Sequence, residues 1–130
     1  MGTLYPDSVE ANRMVYVPGQ TVTLTFSVKN IGSLGVAPFY KARVRETSAL
    51  LSGTLEKEWS GQMVHIPVGS IEKLVLTYTC KETANLRRDV FLLLWQDKVD
   101  GIELASSTWA DAFSVIRHAT KVEILDLTLS

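Results

Sequence analysis

Few side chains in this sequence have the chemistry of a nucleophile. The chain contains one cysteine, Cys80, and two histidines, His65 and His118. A Cys–His nucleophile pair needs one of these histidines within hydrogen-bonding distance of the thiol, but Cys80 directly follows an apolar segment, where a small buried residue is the ordinary interpretation. Catalytic motifs such as Gly-x-Ser-x-Gly, His-Glu-x-x-His, Cys-x-x-Cys and the phosphate-binding glycine loop do not occur. We therefore predict a protein that is not an enzyme and uses no cofactor.

One acidic segment has the composition of a calcium loop. Asp97, Asp100 and Glu103 fall within seven residues, and Ca²⁺ is bound by six to eight oxygen ligands of this kind. The spacing is not that of an EF-hand loop, a lysine lies among the acids, and Asp100-Gly101 is also a common turn dipeptide. These three carboxylates are the candidate metal ligands, and a solvated hairpin turn is the interpretation that we favour.

The tryptophans provide aromatic faces on which a sugar ring can stack. Trp95 falls in a segment that is apolar on both faces, which favours a place in or beside the core. Trp59 and Trp109 fall in or beside turn-rich segments. We therefore predict that Trp59 and Trp109 are interaction residues, for a protein partner or for carbohydrate.

Charge and hydropathy argue against two classes of partner. The sequence has 13 basic and 14 acidic residues, a net charge of −1, and no basic run longer than Arg87-Arg88. Nucleic-acid binding requires a clustered basic face, so we expect none. No segment approaches the roughly 20 apolar residues of a membrane span, so we expect no membrane insertion. The first seven residues lack the features of a signal peptide; either the protein is not secreted by that route or a signal has been removed.

The segments that contain or flank these residues have the residue patterns of β-strands. Residues 21–29 alternate strictly, with Val22, Leu24, Phe26 and Val28 on one face and threonine, serine and lysine on the other. Residues 89–95 are apolar on both faces, which predicts a central strand that is covered on both sides. Further strands are predicted at residues 14–17, 39–45, 73–79 and 112–116. Residues 48–58 fit a strand or a short helical turn, and turn-rich links are expected at 32–35, 60–61, 67–70 and 97–108.

This spacing predicts an all-β fold, an antiparallel immunoglobulin-like β-sandwich of about seven to eight strands over residues 1–118. A single cysteine excludes an intrachain disulfide, so packing must stabilise the domain, and 46% of its residues are hydrophobic. Residues 119–130 form a separate C-terminal strand or arm with four apolar residues, Val122, Ile124, Leu127 and Leu129. Because an unpaired apolar strand promotes aggregation, we expect this arm to add an edge strand to its own domain or to pair with another molecule.

The segment VPGQTVTLTFSVKNIG at residues 17–32 resembles the opening of bacterial and archaeal cell-adhesion-related domains. In these immunoglobulin-like modules a Pro-Gly turn leads a strand that ends in Val-x-Asn-x-Gly. Residues 66–70, 74–78, 91–95, 101–105 and 113–115 look like the later turns and strands, so the resemblance covers residues 14–116. It implies a module of a tandem surface protein, and similar folds occur in phage decoration and tail proteins.

Together these features predict a non-catalytic structural or adhesion module that acts through protein–protein contacts or self-association. The two settings are a repeat of a surface protein and a subunit of a virion-type assembly, so an extracellular, cell-surface or virion location is favoured. The alternative is a carbohydrate-binding module that uses the loop tryptophans. Fold alone does not decide between these functions.

Overall fold

The computed structural model describes residues 4–47, 54–81 and 87–116. All regular structure in these ranges is β-strand, so the prediction of an all-β chain is confirmed. The strands, in chain order, are β1 (Leu4–Ala11), β2 (Val15–Tyr16), β3 (Thr21–Asn30), β4 (Phe39–Glu46), β5 (Leu55–Gln62), β6 (Ile71–Thr79), β7 (Arg87–Trp95) and β8 (Glu103–Val115). Residues 119–130, which we predicted to be a separate arm, lie outside the described residues.

The strands form two sheets, one of three strands in the order β1-β3-β6 and one of five in the order β2-β8-β7-β4-β5. Every pairing is antiparallel except that of the two-residue β2 with β8, which is parallel. The predicted immunoglobulin-like sandwich is therefore confirmed. A sheet with one apolar face must bury that face against another layer, and the buried residues of both sheets form one core cluster between them.

The two strands with the clearest patterns lie where the patterns predict. The apolar set of β3, Val22, Leu24, Phe26 and Val28, is fully buried. β7 lies between β8 and β4, so it is an interior strand of the larger sheet. Its inward residues are buried, whereas on the outer face Phe91 and Leu93 are half-buried. In the described part of the chain no other sheet lies on that face, so the predicted cover on both sides of the strand is not found there.

One strand was not predicted, and two predicted turn regions are wrong. β1 was not predicted, because polar residues and Pro6 interrupt its alternation, and its register shifts between Pro6 and Ser8. The predicted turn at residues 60–61 lies inside β5. A Cβ at Gly61 would lie 3.1 Å from the Tyr40 hydroxyl oxygen on the neighbouring strand, so this glycine allows a close approach of ring and backbone. Much of the predicted link at residues 97–108 belongs to β8.

A buried ion pair within the five-stranded sheet, at the end where β3 begins, is hydrogen-bonded to the other sheet. The Arg88 Nε lies 2.9 Å from the Glu56 Oε1, and the two side chains are 0% and 1% exposed. Tyr78, on the other sheet, donates a hydrogen bond to the second carboxylate oxygen of Glu56. Burial raises the pKa of the Tyr78 phenol, and the bond to Glu56 raises it further. No local sequence pattern predicts this cluster, because Glu56 is more than twenty positions away from both Tyr78 and Arg88 in the chain.

Candidate functional site

The two tryptophans predicted as interaction residues lie on strands, so their placement in turn-rich segments was wrong. Trp59 lies in β5, with its ring 5.6 Å from that of Tyr78. Trp109 lies in β8, with its ring 5.8 Å from that of Phe26. Both rings are half-buried and pack against the core. Two strands, β7 and β4, separate them, a distance of roughly 14 Å at the usual strand spacing. A role for either residue in binding stays a prediction.

The four apolar residues of the predicted arm, Val122, Ile124, Leu127 and Leu129, lie outside the described residues. Their role in pairing with another molecule also stays a prediction.

The acidic segment forms the hairpin turn between β7 and β8. The Asp97 Oδ1 accepts a hydrogen bond of 3.1 Å from the Ile102 backbone N–H, and this bond lowers the pKa of Asp97. Asp100 has a left-handed backbone with φ 64°, and its carboxylate lies 3.8 Å from the Lys41 Nζ. Glu103 begins β8. Among residues 4–47, 54–81 and 87–116, no three His, Cys, Asp or Glu side chains are grouped to hold a metal ion.

Cys80 is buried at the opposite end of the sandwich. Its Sγ donates a hydrogen bond of 3.1 Å to the Val17 carbonyl oxygen. Burial raises the pKa of the Cys80 thiol, so the neutral thiol is favoured over the nucleophilic thiolate. The residue is therefore part of the packing, in agreement with the interpretation from sequence.

The surface feature that the sequence analysis did not single out is a concentration of exposed apolar side chains at one end of the sandwich. Antiparallel strands bring the β3–β4, β5–β6 and β7–β8 connections together there, and backbone hydrogen bonds join Val36 to Ile66 and Met63 to Pro38. Seven of the eleven large apolar residues exposed in the described part of the chain lie at this end, each 50–66% exposed. We call this set the apolar loop end: Tyr5, Ile31, Leu34, Val64, Val68, Ile71 and Ile102.

A buried asparagine holds the two larger connections of the apolar loop end in place. Asn30 is fully buried, and its Nδ2 donates to the Leu34 carbonyl at 2.8 Å and to the Ile66 carbonyl at 2.9 Å. Its Oδ1 accepts from the Gly32 N–H at 2.9 Å. One side chain thus fixes a turn in its own connection and ties it to the next. The apolar residues are consequently displayed on a fixed frame.

Two of the three connections at the apolar loop end carry almost no charge, whereas the β7–β8 connection contains Asp97, Lys98 and Asp100. Residues 31–38 and 63–70 contain no aspartate, glutamate, lysine or arginine, and His65 is their one titratable side chain. Exposed connections are ordinarily polar, because they must be solvated. A signal was therefore present in the sequence: Ile31, Leu34 and Val68 each lie next to a turn-forming glycine, where an apolar residue has no strand face to bury.

No protein-family profile matches the chain, and no curated protein matches it by sequence. Solved structures do match. The CARDB domain of the PF1109 protein from Pyrococcus furiosus, in complex with di-metal ions, is 22% identical with a TM-score of 0.53, over 88% of this chain and 89% of that one. CARDB domains are immunoglobulin-like and cell-adhesion-related. The predicted resemblance to that class is therefore supported at the level of the fold.

Two larger proteins contain a similar domain. A cycloisomaltooligosaccharide glucanotransferase from Paenibacillus sp., complexed with cycloisomaltoheptaose, is 21% identical with a TM-score of 0.61 over 88% of this chain. The alkylpurine DNA glycosylase AlkC of Pseudomonas fluorescens, bound to DNA containing an abasic-site analogue, is 12% identical with a TM-score of 0.57 over 88% of this chain. The chain spans 14% and 30% of those proteins. At these identities the likeness defines an immunoglobulin-like fold and no activity.

The described residues contain no helix with the length and apolar character of a membrane span.

Proposed function

We propose that this chain is a non-catalytic immunoglobulin-like module that binds a protein partner through the apolar loop end. The observation that carries the proposal is the concentration of seven exposed apolar side chains at one end of the sandwich. Contiguous exposed apolar surface is a mark of protein–protein contact. In immunoglobulin-like sandwiches the connections at one end form a common surface on a rigid scaffold.

The low charge and apolar character of the apolar loop end indicate what kind of partner surface it would bind. The centre of a protein interface is depleted in charged residues, and the two connections at residues 31–38 and 63–70 contain no aspartate, glutamate, lysine or arginine. A neutral, apolar protein surface therefore fits the apolar loop end better than a polyanion or a sugar, since each of those requires convergent polar groups. Tyr5 adds an aromatic ring with a hydroxyl at the margin.

The similar CARDB domain supports a setting outside the cell, because that class is cell-adhesion-related. We propose either a repeat of a surface protein or a subunit of a virion-type assembly. In both settings a small module contributes a binding surface and the chemistry, if any, belongs to another chain or domain. Similar domains that make up 14% and 30% of larger proteins fit the role of an attached module.

The test compares three forms of the full chain as immobilised baits for surface proteins of the source cell. These are the wild type, a loop-end variant (Leu34→Ser, Val64→Thr, Val68→Thr) and a matched control (Met14→Ser, Val15→Thr). The control residues are 68% and 48% exposed but lie at the opposite end. A protein retained by the wild type is then purified and titrated against all three forms. We expect the loop-end variant to bind at least about tenfold more weakly and the control to bind unchanged.

Equal affinity for all three forms would refute the role of the apolar loop end. The carbohydrate alternative is tested with the same proteins by affinity electrophoresis in soluble polysaccharides. Retardation that is lost in Trp59→Ala or Trp109→Ala, together with no protein ligand, would favour the carbohydrate-binding function instead.

A further inference from the structure

The four outer strands of the two sheets differ in how they are protected against pairing. Edge strands expose unpaired backbone groups, and proteins normally block them with proline, bulges, charges or short length. β1 contains Pro6 and a register shift beside it. β2 has two residues. β5 has a register shift opposite Val44 and Arg45, and its Glu58 forms an ion pair of 2.6 Å with Arg43.

β6 has only one of these devices, the charges of Glu72 and Lys73 near its start. It pairs with β3 through nine consecutive residues without a register shift and contains neither proline nor glycine. Among the strands that the structure describes, β3 is its one neighbour. Its outward residues Ile71 and Val75 are 51% and 56% exposed. β6 is therefore a long, regular edge with apolar side chains on its solvent face.

The direction of the unpaired backbone groups follows from the ladder. At its two ends the Asn30 N–H donates to the Ser70 carbonyl and the Cys80 N–H donates to the Gln20 carbonyl, each at 3.0 Å. Hydrogen-bonded pairs alternate along an antiparallel ladder, so the even-numbered residues of β6 bond to β3. The odd-numbered residues, from Ile71 to Thr79, direct their N–H and C=O groups to the open edge.

We propose that β6 pairs with β6 of a second copy of this chain, antiparallel about a two-fold axis through Val75. This register overlaps all nine residues and makes about ten backbone hydrogen bonds, two for each odd-numbered pair. It joins two three-stranded sheets into one of six strands. An isologous contact of this kind closes as a dimer, which also removes the open edge.

Side-chain chemistry favours this register. Val75 meets Val75 of the partner, Leu74 meets the partner's Leu76 on the core face, and Lys73 meets the partner's Thr77. A shift of the axis to Lys73 would place like charges directly opposite each other, which destabilises a sheet. The association shares only Ile71 with the apolar loop end, because the other paired groups belong to residues 72–79 of β6.

The first test is the mass of the full chain in solution by light scattering over a concentration series. We expect the wild type to reach twice its chain mass of 14.4 kDa at high concentration. Val75→Lys places two lysines face to face across the axis and should shift the dissociation constant upward by at least about tenfold. Val64→Lys is the control, since Val64 is 66% exposed and lies outside β6. Circular dichroism verifies that both variants are folded.

Cysteine cross-linking tests the register separately. Val75→Cys should form a disulfide-linked dimer on mild oxidation, because facing residues lie about 5.5 Å apart between Cα atoms. Lys73→Cys alone should not, since the two copies of residue 73 lie roughly 14 Å apart at the usual rise per residue. The double variant Lys73→Cys/Thr77→Cys should cross-link.

A wild type that stays monomeric at all concentrations overturns the proposal, as does a dimer that Val75→Lys leaves intact. A dimer lost in Ile124→Lys/Leu127→Lys but kept in Val75→Lys would instead assign the association to the C-terminal segment. The loop-end variant should still form the dimer. Loss of dimerisation and loss of partner binding can therefore be distinguished.

Discussion

Replacing Asn30 by alanine should destabilise the domain by about 3 kcal/mol. The side chain makes three hydrogen bonds, at 2.8, 2.9 and 2.9 Å, and is fully buried. A buried bond of this kind contributes about 1 kcal/mol net, so the three together give the predicted loss. The Ile66 carbonyl keeps a second donor, the Val36 N–H at 3.2 Å, which limits the additional penalty for an unsatisfied acceptor.

Urea unfolding followed by tryptophan fluorescence measures this loss. With a slope of about 1.5 kcal/mol per molar, the midpoint for Asn30→Ala should fall by roughly 2 M. Val28→Ala is the matched control, because it lies two residues away in β3, is equally buried and loses only packing, at about 2 kcal/mol.

Hydrogen exchange then separates the two mechanisms. In Asn30→Ala the Gly32 amide loses its acceptor and should exchange faster than the fall in global stability explains. In Val28→Ala the exchange rate of the Gly32 amide should change only as much as the fall in global stability explains. A midpoint shift below about 0.5 M, or an unchanged Gly32 amide, would show that Asn30 does not hold the loop frame.

Three further changes test other parts of the argument. Arg88→Met leaves the Glu56 carboxylate buried without its cation and should cost about 3–5 kcal/mol in urea unfolding, whereas Arg88→Met/Glu56→Leu should be more stable than the single variant; the reverse order would contradict a buried ion pair. Gly69 has φ 80°, so Gly69→Ala should cost about 1 kcal/mol, and an unchanged midpoint would exclude strain there. The folded-state pKa of Asp97 is lowered, chiefly by the Ile102 N–H. The contribution of Asp97 to the free energy of unfolding is therefore present above the pKa of the unfolded state and is lost as the pH falls through the pKa of the folded state. The stability difference between wild type and Asp97→Ala should shrink between about pH 5 and pH 2. A difference that does not change with pH would contradict this.

The parts of the fold that could be predicted are those with a strong period. Four apolar residues alternate with polar residues without interruption in β3. A strand conformation places all four on one face of a sheet, where they can be buried together and removed from water. β7 was recognised as central because it is apolar on both faces. The weaker strands were missed or misplaced. β1 and β5 are edge strands, where one side of the backbone is open and polar residues are tolerated on both faces.

The candidate site was predicted less well, and for a different reason. Trp59 and Trp109 were placed in or beside turn-rich segments, but strand pairing placed both against the core. The residues of the apolar loop end are scattered over the sequence from Tyr5 to Ile102. Each one alone is an ordinary exposed apolar residue, and only their assembly makes a surface.

By itself the sequence determined that the chain forms strands, which face of β3 is buried, and that packing rather than disulfides stabilises the domain, because these properties follow from local period and composition. Tertiary structure decided which connections share an end, that Asn30 reaches Ile66, and that Glu56 meets Arg88 and Tyr78. These contacts join residues more than twenty positions apart. The order of the strands in the sheets brings these residues together, and that order depends on the free energy of the whole fold, not on a local sequence pattern.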